Sequence, residues 1–144
     1  MIVPVTNENI SSAALIHSEA WKQSHKGFCS AEFVSAHTPL RQRKYLENEI
    51  ALGKELYMLI EDKAVGVVSV HNGLIENLYV LPSEQNRGCG SRLLDYAIKV
   101  CGGRRLWVLN INTGARRLYE RRGFKETGEI KPLSEKLWEV EMAL

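Results

Sequence analysis

The chain has 144 residues, of which 44% are hydrophobic and 25% are charged. This length favours one domain with a substantial core, and no apolar run approaches the roughly 20 residues that span a bilayer. The N-terminal segment lacks a basic stretch followed by an apolar one, so it does not resemble a signal peptide. We therefore expect a single domain that resides in the cytoplasm and binds no membrane.

The first 53 residues are predicted to be helical. Asn7 is expected to cap a first helix, and residues 30–51 predict a second helical region. That region should be interrupted near Thr38, because Pro39 restricts the residue before it. The apolar face of the first helix comprises Ile10, Ala13, Ala14, His17 and Trp21.

An antiparallel meander of three strands is predicted next. The stretches ELYMLI and AVGVVSV are separated by the turn EDK, and Asn72-Gly73 joins the second stretch to LIENLYVL. Asn-Gly between strand-like runs is the strongest short hairpin signal. Pro82 ends the third strand, because proline cannot donate a hydrogen bond to a ladder.

A helix, a strand, a short basic helix and two further strands complete the predicted order. The strand RLWVLNI precedes a helix over 113–122, and the last strands lie around FKETGEI and KLWEVEMAL. One parallel crossover joins the strands at 74–81 and 104–109. The expected fold class is therefore α/β, with a mixed, mostly antiparallel sheet flanked by helices. The apolar face of the first of these helices comprises Leu93, Leu94, Ala97, Ile98 and Cys101.

The basic residues are concentrated in the second half of the chain. The net charge is +2, but residues 87–125 hold ten Lys or Arg and two acidic residues. This segment therefore carries a charge of +8 and the remainder carries −6. Charged helix faces are usually only solvated, but this excess follows a glycine pair, which favours an anionic ligand.

Gly88 and Gly90 lie where a helix should begin, although glycine lowers helix stability. Bare backbone at a helix N-terminus lets an anion approach free N–H groups. The dinucleotide pattern GxGxxG fails because Leu93 occupies its last position, and a P-loop fails because no lysine follows either glycine. The remaining pattern is Gln85-x-x-Gly88-x-Gly90 at the start of a helix that follows a strand.

This pattern resembles the acyl-CoA-binding motif Q/R-x-x-G-x-G/A of the GNAT superfamily of N-acetyltransferases. A second stretch, NTGARRLYERRGF at 112–124, resembles the second motif of that family. The resemblance implies a sheet with a V-shaped splay between its two parallel strands. It also implies transfer of an acetyl group from acetyl-CoA, a co-substrate, to a primary amine of a small molecule or protein.

The resemblance also suggests which residues bind the co-substrate. The backbone of the third meander strand would hold the pantetheine arm, and one of its N–H groups would polarise the thioester carbonyl. The pyrophosphate would lie on N–H groups of residues 87–91, and Asn112 could bind the co-substrate, cap the basic helix, or do both. The predicted set is Leu78, Tyr79, Val80, Gln85, Arg87, Gly88, Cys89, Gly90, Ser91 and Asn112.

Cysteine chemistry is an open alternative at one of these positions. Cys29, Cys89 and Cys101 form no CxxC pair, so free thiols and no metal site are expected. Cys89 lies between the two glycines, which suggests either a nucleophile or a small side chain that packs well. Packing is the favoured interpretation.

Two residues are predicted to act in catalysis. An alkylamine with a pKa near about 10.4 is protonated at neutral pH, so a general base should help. Glu76 is the candidate base, and its alternative is a charged strand end that faces solvent. Tyr119 matches the position of a tyrosine acid in many members of the family, where it would protonate the leaving thiolate. Its alternative is a packed helix residue whose hydroxyl binds a backbone carbonyl.

The acceptor is not evident from the sequence. Within one domain over 1–144, we assign 1–53 to acceptor-side helices, 54–81 to the meander, 82–128 to the acyl-CoA-binding core and 129–144 to a C-terminal strand. His25 is expected at the surface, and both a monomer and a homodimer remain open. Aromatic side chains of the first part could wall an amine pocket or belong to the core: Trp21, His25, Phe28, Phe33 and Tyr45.

Two other functions compete with the enzyme. A domain of this kind could sense acyl-CoA without turnover, and binding without any acetylated product would support that function. The basic segment could bind nucleic acid. No aromatic platform or recognition motif is interleaved with its charges, however, so we predict no nucleic-acid partner.

Overall fold

The structure, a computed structural model, describes all residues from Met1 to Leu144 as one seven-stranded sheet flanked by helices. The strands are β1 (Ile2–Pro4), β2 (Glu55–Ile60), β3 (Ala64–His71), β4 (Leu74–Val80), β5 (Arg105–Leu109), β6 (Lys125–Pro132) and β7 (Trp138–Ala143). The helices are α1 (Ile10–His25), α2 (Ala31–Ser35), α3 (Pro39–Ala51), α4 (Cys89–Lys99) and α5 (Thr113–Arg121). The strand order is β1-β2-β3-β4-β5-β7-β6, and only β4 and β5 are parallel neighbours. The predicted fold class is confirmed.

The sheet separates two hydrophobic cores. Helices α4 and α5 cover one face, where Leu93 of α4 and Tyr119 of α5 belong to the same core as Val68 of β3. Helices α1 and α3 cover the other face, where Val67 of β3 belongs to the second core together with Leu46 of α3. Strand β3 is therefore buried on both faces, which explains its nearly continuous apolar sequence.

Strands β4 and β5 pair over two residues only, Leu74 with Arg105 and Ile75 with Leu106. Beyond Ile75 the two strands diverge, while β5 stays paired with β7 as far as Leu109. The V-shaped splay implied by the resemblance is thus present. It opens a groove in the middle of the sheet, toward the carboxyl ends of two parallel strands.

Local signals predicted the turns and helix ends well. The Asn72-Gly73 turn has positive φ values of 50° and 79°, as a two-residue hairpin of this sequence requires. The break in the second helical region is also confirmed, since α2 ends at Ser35 and α3 begins at Pro39. Thr38 caps α3 by accepting a hydrogen bond from the backbone N–H of Arg41 at 3.2 Å.

Two features of the N-terminal segment differ from the prediction. Helix α1 begins after Asn9 rather than Asn7, and the Asn9 side chain accepts a hydrogen bond from the Thr6 N–H at 2.8 Å instead of capping the helix. Residues Ile2–Pro4 form an edge strand beside β2 that was not predicted. Three residues are too few to show an alternating pattern.

Candidate active site

The groove between β4 and β5 has a volume of about 800 Å³ and is lined by residues of α1, β4, β5, α4, α5 and β7. It collects most of the residues that the sequence suggested, although they are spread over more than 40 positions. The predicted residues that line it are Glu76, Leu78, Tyr79, Val80, Gln85, Gly88, Gly90, Ser91, Asn112 and Tyr119.

The N-terminus of α4 presents free backbone donors to this groove. Gly88 is the N-cap, with a φ of +83° that favours glycine, and no side chain caps the helix. The first helical hydrogen bond runs from the Arg92 N–H to the Gly88 carbonyl at 3.0 Å. The N–H groups of Cys89, Gly90 and Ser91 are therefore without intrahelical partners, which is the arrangement that binds anions.

Gly90 is not required by packing inside the protein. A methyl group at its Cα would lie 3.5 Å from Leu118 Cδ2 and 4.0 Å from Val80 Cγ2, which are ordinary contacts. The bare Cα leaves open the groove that both of those residues also line.

Two amide side chains organise the loop before α4 and the start of α5. Gln85 Nε2 donates to the Val80 carbonyl at 3.1 Å and to Gln23 Oε1 of α1 at 2.9 Å, so this side chain ties the loop to β4 and to α1. Asn112 Oδ1 accepts a hydrogen bond from the Ala115 N–H at 3.2 Å. The capping role expected for Asn112 is confirmed, and the residue also lines the groove.

Two side chains of the predicted set lie outside the groove. Arg87 pairs with Glu84 at 2.7 Å and lines a second, smaller cavity. The side chain of Cys89 is buried in the core below α4, with 6% exposed. The packing interpretation of Cys89 is correct.

Tyr119 lies at the bottom of the groove, with 8% of its surface exposed. Its ring packs against Phe124, with ring centroids 6.0 Å apart. The hydroxyl forms no hydrogen bond with the protein, so the alternative of a bond to a backbone carbonyl is wrong. Burial raises the pKa of this phenol to about 12, which keeps it protonated at neutral pH.

Glu76 is ion-paired rather than free at a strand end. Its Oε1 accepts a hydrogen bond from Lys54 Nζ at 3.1 Å, and the same ammonium binds Glu49 Oε1 at 2.9 Å. The hydrogen bond that Lys54 donates to Glu49, followed by its hydrogen bond to Glu76 and the charges of both carboxylates, raises the pKa of Lys54. Glu76 keeps lone pairs for a further donor, since a carboxylate can accept about four hydrogen bonds.

Sequence reasoning missed a second carboxylate, Glu139, which also lines the groove. It lies on β7 directly opposite Leu109 of β5. Glu139 alternates with apolar residues in β7, as a charged residue does in many strands. Its position in the groove depends on the register between β5 and β7, which cannot be predicted from either segment alone. Arg121 was missed as well, and it is the groove's one Lys or Arg.

Part of the basic excess in residues 87–125 is paired with acidic residues outside that segment. Arg92 pairs with Glu61 and Arg116 with Glu126. The excess is therefore smaller at the groove than the sequence suggested.

The aromatic residues of the first helices form a stack of their own. Trp21 lies between two imidazole rings, with centroids 3.9 Å from His25 and 3.4 Å from His37. Phe28 and Phe33 flank this stack and are 37% and 49% exposed. Of these residues only His25 lines the groove, where it is half-buried rather than a simple surface residue.

Residues 18–124 match the sequence profile of the acetyltransferase (GNAT) family. The chain belongs to this family. Membership supports acetyl transfer as the general activity, and the groove between β4 and β5 is its candidate site. A comparison with curated protein sequences gives no match.

Solved structures of GNAT proteins share the fold over the whole chain. The PaiA N-acetyltransferase of Thermoplasma acidophilum, in complex with coenzyme A, is 21% identical with a TM-score of 0.78, and the match covers 100% of this chain and 98% of that one. YncA of Salmonella typhimurium, a putative acetyltransferase with its cofactor acetyl-CoA, is 18% identical with a TM-score of 0.72, covering 100% and 92%. The ribosomal-protein-alanine N-acetyltransferase of Brucella melitensis is 18% identical with a TM-score of 0.74, covering 100% and 99%.

Two further structural findings concern metal sites and membrane-spanning helices. The structure contains no group of three or more His, Cys, Asp or Glu side chains placed to hold a metal ion. None of its helices is both long and apolar enough to cross a membrane.

Proposed function

We propose that this GNAT protein transfers the acetyl group of acetyl-CoA to a primary amine. The observation that carries the proposal is the N-terminus of α4, where the free N–H groups of Gly90 and Ser91 belong to residues that line the groove between the splayed strands. A helix N-terminus with bare backbone suits a pyrophosphate. Two of the structural relatives were solved with coenzyme A or acetyl-CoA, which supports the same ligand here.

The edge of β4 suits the pantetheine arm. The Leu81 N–H binds the Val65 carbonyl at 2.8 Å, so by antiparallel alternation Tyr79 faces β3, whereas the amides of Leu78 and Val80 face the gap toward β5. An extended amide-containing chain in the groove would bind these groups like an added strand. One of the two N–H groups would stabilise the developing oxyanion of the thioester.

The chemistry needs a neutral amine and a protonated leaving group. Glu76 would take a proton from the ammonium, directly or through water, and the amine would then attack the thioester carbon. The carbon–sulfur bond breaks when the tetrahedral intermediate collapses, and the sulfur receives the proton of Tyr119. The nitrogen loses its second proton to solvent, and solvent returns a proton to the Tyr119 phenolate. The raised pKa of Tyr119 keeps that proton in place until the thiolate forms.

A thermal melt with and without acetyl-CoA tests the binding half of this proposal, with ATP and NADH as controls. At about 100 times the dissociation constant, a ligand adds about 2.7 kcal/mol of stability. That should raise the Tm by several degrees for a domain of this size. An equal response to all three nucleotides, or no response, would contradict the assignment.

An amine screen that follows free thiol release tests the catalytic half. Thiol release that depends on an added amine, with an acetylated product, is the expected result. Specific binding of acetyl-CoA without product from any amine would instead support a non-catalytic acyl-CoA sensor.

A further inference from the structure

Strand β4 contains a β-bulge directly before the residues that face the groove. Val67 of β3 pairs with Tyr79, but Ser69 pairs with Glu76, so Asn77 and Leu78 together oppose a single residue of β3. Asn77 has a φ of +53°. A non-glycine residue in this left-handed region is uncommon and costs about 1–2 kcal/mol, so the surrounding structure has to hold it there.

The bulge decides which way the following residues point. Glu76 and Asn77, although consecutive, both make contacts on the α1 and α3 side: Asn77 with His17 and Tyr45 of these helices, and Glu76 with Lys54 of the loop after α3. Leu78 and Val80 consequently pack against the core on the α4 side, and Tyr79 packs on the α1 side. Without the extra residue the alternation would shift by one, and the amides of Leu78 and Val80 would face β3 instead of the groove.

The side-chain amide of Asn77 is oriented by its partners. Its Nδ2 donates to Ser69 Oγ at 3.0 Å, and that hydroxyl donates in turn to the Glu76 carbonyl at 3.2 Å. Asn77 Oδ1 must therefore be the acceptor on the other side. There it lies 3.1 Å from Nε2 of His17, a residue of α1 that is 3% exposed.

The protonation of His17 is fixed by the same network. Gln42 Nε2 lies 2.7 Å from His17 Nδ1 and donates to it, which leaves the proton on Nε2, facing Asn77. Burial lowers the pKa of His17, so the ring is neutral. The hydroxyl of Tyr45 lies 3.3 Å from the same Asn77 oxygen and 3.0 Å from Glu49 Oε1. Because the hydroxyl has one proton, Asn77 and Glu49 compete for this donor.

We propose that His17 is a positioning residue for acetyl transfer, which acts through Asn77 to hold the bulge and so aims the amides of Leu78 and Val80 at the groove. His17 does not line the groove itself and touches no substrate. The expected effect on kcat rests on the proposed function. The effect of His17 on the backbone conformation of Asn77 does not, because it can be measured in the protein without substrate.

A double-mutant cycle tests whether His17 acts through Asn77. His17→Ala should lower kcat about tenfold, a fraction of the 10²–10³ that the loss of a whole oxyanion donor costs. Asn77→Gly provides the second background, because glycine adopts positive φ without help from a side chain. In that background His17→Ala should change kcat less than twofold. An equal loss in both backgrounds would overturn the proposal, as would no loss in the single variant.

Two further variants separate positioning from simple destabilisation. Ser18→Ala removes a neighbouring buried hydrogen bond of α1, from Ser18 Oγ to the His37 carbonyl at 2.5 Å, without touching Asn77. It should lower the Tm and leave kcat unchanged. His17→Gln restores a donor toward Asn77 and should recover part of the lost kcat, whereas a kcat as low as that of His17→Ala would count against the proposal.

An NMR measurement keeps the two proposals distinguishable. The ¹³Cα chemical shift of residue 77 reports its backbone conformation in the free protein, and it should move toward extended values in His17→Ala but not in Ser18→Ala. If the wild-type protein transfers no acetyl group, the proposed function fails while this shift still tests the hold of His17. An unchanged shift in His17→Ala would overturn the inference even if the enzyme is active.

Discussion

The two sides of the groove are built by different means. On the α4 side, Gly90 and Ser91 line the groove with N–H groups that have no intrahelical partner, and the side chain of the neighbouring Cys89 is buried in the core. On the α1 side, side chains from α1, α3, β4 and the loop after α3 form one polar network that reaches from Gln42 to Glu76. Main-chain donors suit a co-substrate that is the same for every acceptor. Side chains can be replaced in evolution, so they suit a site for an acceptor that differs between proteins.

The largest effect on kcat is expected from a change at Tyr119, which lies on the α4 side and would donate a proton to the leaving thiolate. Tyr119→Phe removes the proton donor and keeps the packing against Phe124. We expect kcat to fall about 100-fold or more, with little change in the dissociation constant of acetyl-CoA. Burst and steady-state thiol release, together with calorimetric binding, would measure both. An unaltered kcat would remove Tyr119 from the mechanism.

The need for a bare backbone on the α4 side can be tested at Gly90. Gly90→Val should weaken acetyl-CoA binding at least tenfold, about 1.4 kcal/mol, because the side chain enters the groove beside Leu118 and Val80. The Tm of the free protein should change little. Gly27→Val, at an open turn with no atom within 4 Å, is the matched control. Equal binding by both variants would show that the bare backbone is not needed.

The α1 side is tested at its two carboxylates. Glu76→Gln should lower kcat about tenfold or more at pH 7, and the deficit should shrink as the pH approaches the amine pKa near about 10.4, where no base is needed. Glu139→Gln is the control, since it also removes a charge from the groove. A pH–rate profile of kcat for the two variants separates these roles. A pH-independent deficit in Glu76→Gln would assign Glu76 to binding.

The smallest effect is expected from charge on the α4 side. Arg121→Ala should weaken acetyl-CoA binding about threefold to fivefold at low salt, within the about 1 kcal/mol that an exposed charge contributes, and less at high salt. Arg117→Ala removes an exposed arginine of the same helix that does not line the groove. Binding titrations at two salt concentrations compare them. Equal losses would mean that only the overall charge of α5 matters.

The α4 side could be predicted because its determinants are local. Gly88 and Gly90 lie in one short segment, and their cost to the helix is itself the signal. The Asn72-Gly73 turn and the Thr38-Pro39 helix start are local in the same sense. Each of these features depends on neighbouring residues, so the sequence pattern and the structure agree.

The α1 side could not be predicted because its contacts are long-range. His17 was correctly placed on the buried face of α1, yet its partner Asn77 is 60 positions away. The bulge at Asn77 leaves no signal in the alternation of LIENLYVL, and Glu139 reaches the groove only through the register of β7 on β5. The pairing of Glu76 with Lys54 was likewise invisible, since it needs the loop after α3 to lie over β4.

The splay between β4 and β5 also has a consequence for association between molecules. Beyond Ile75 it leaves two strand edges unpaired, and unpaired edges are templates on which other chains aggregate. Here the two edges face each other inside the sheet, with Ser24 of α1 and Leu118 of α5 lining the space between them. The opening between β4 and β5 is thus shielded from the strands of neighbouring proteins.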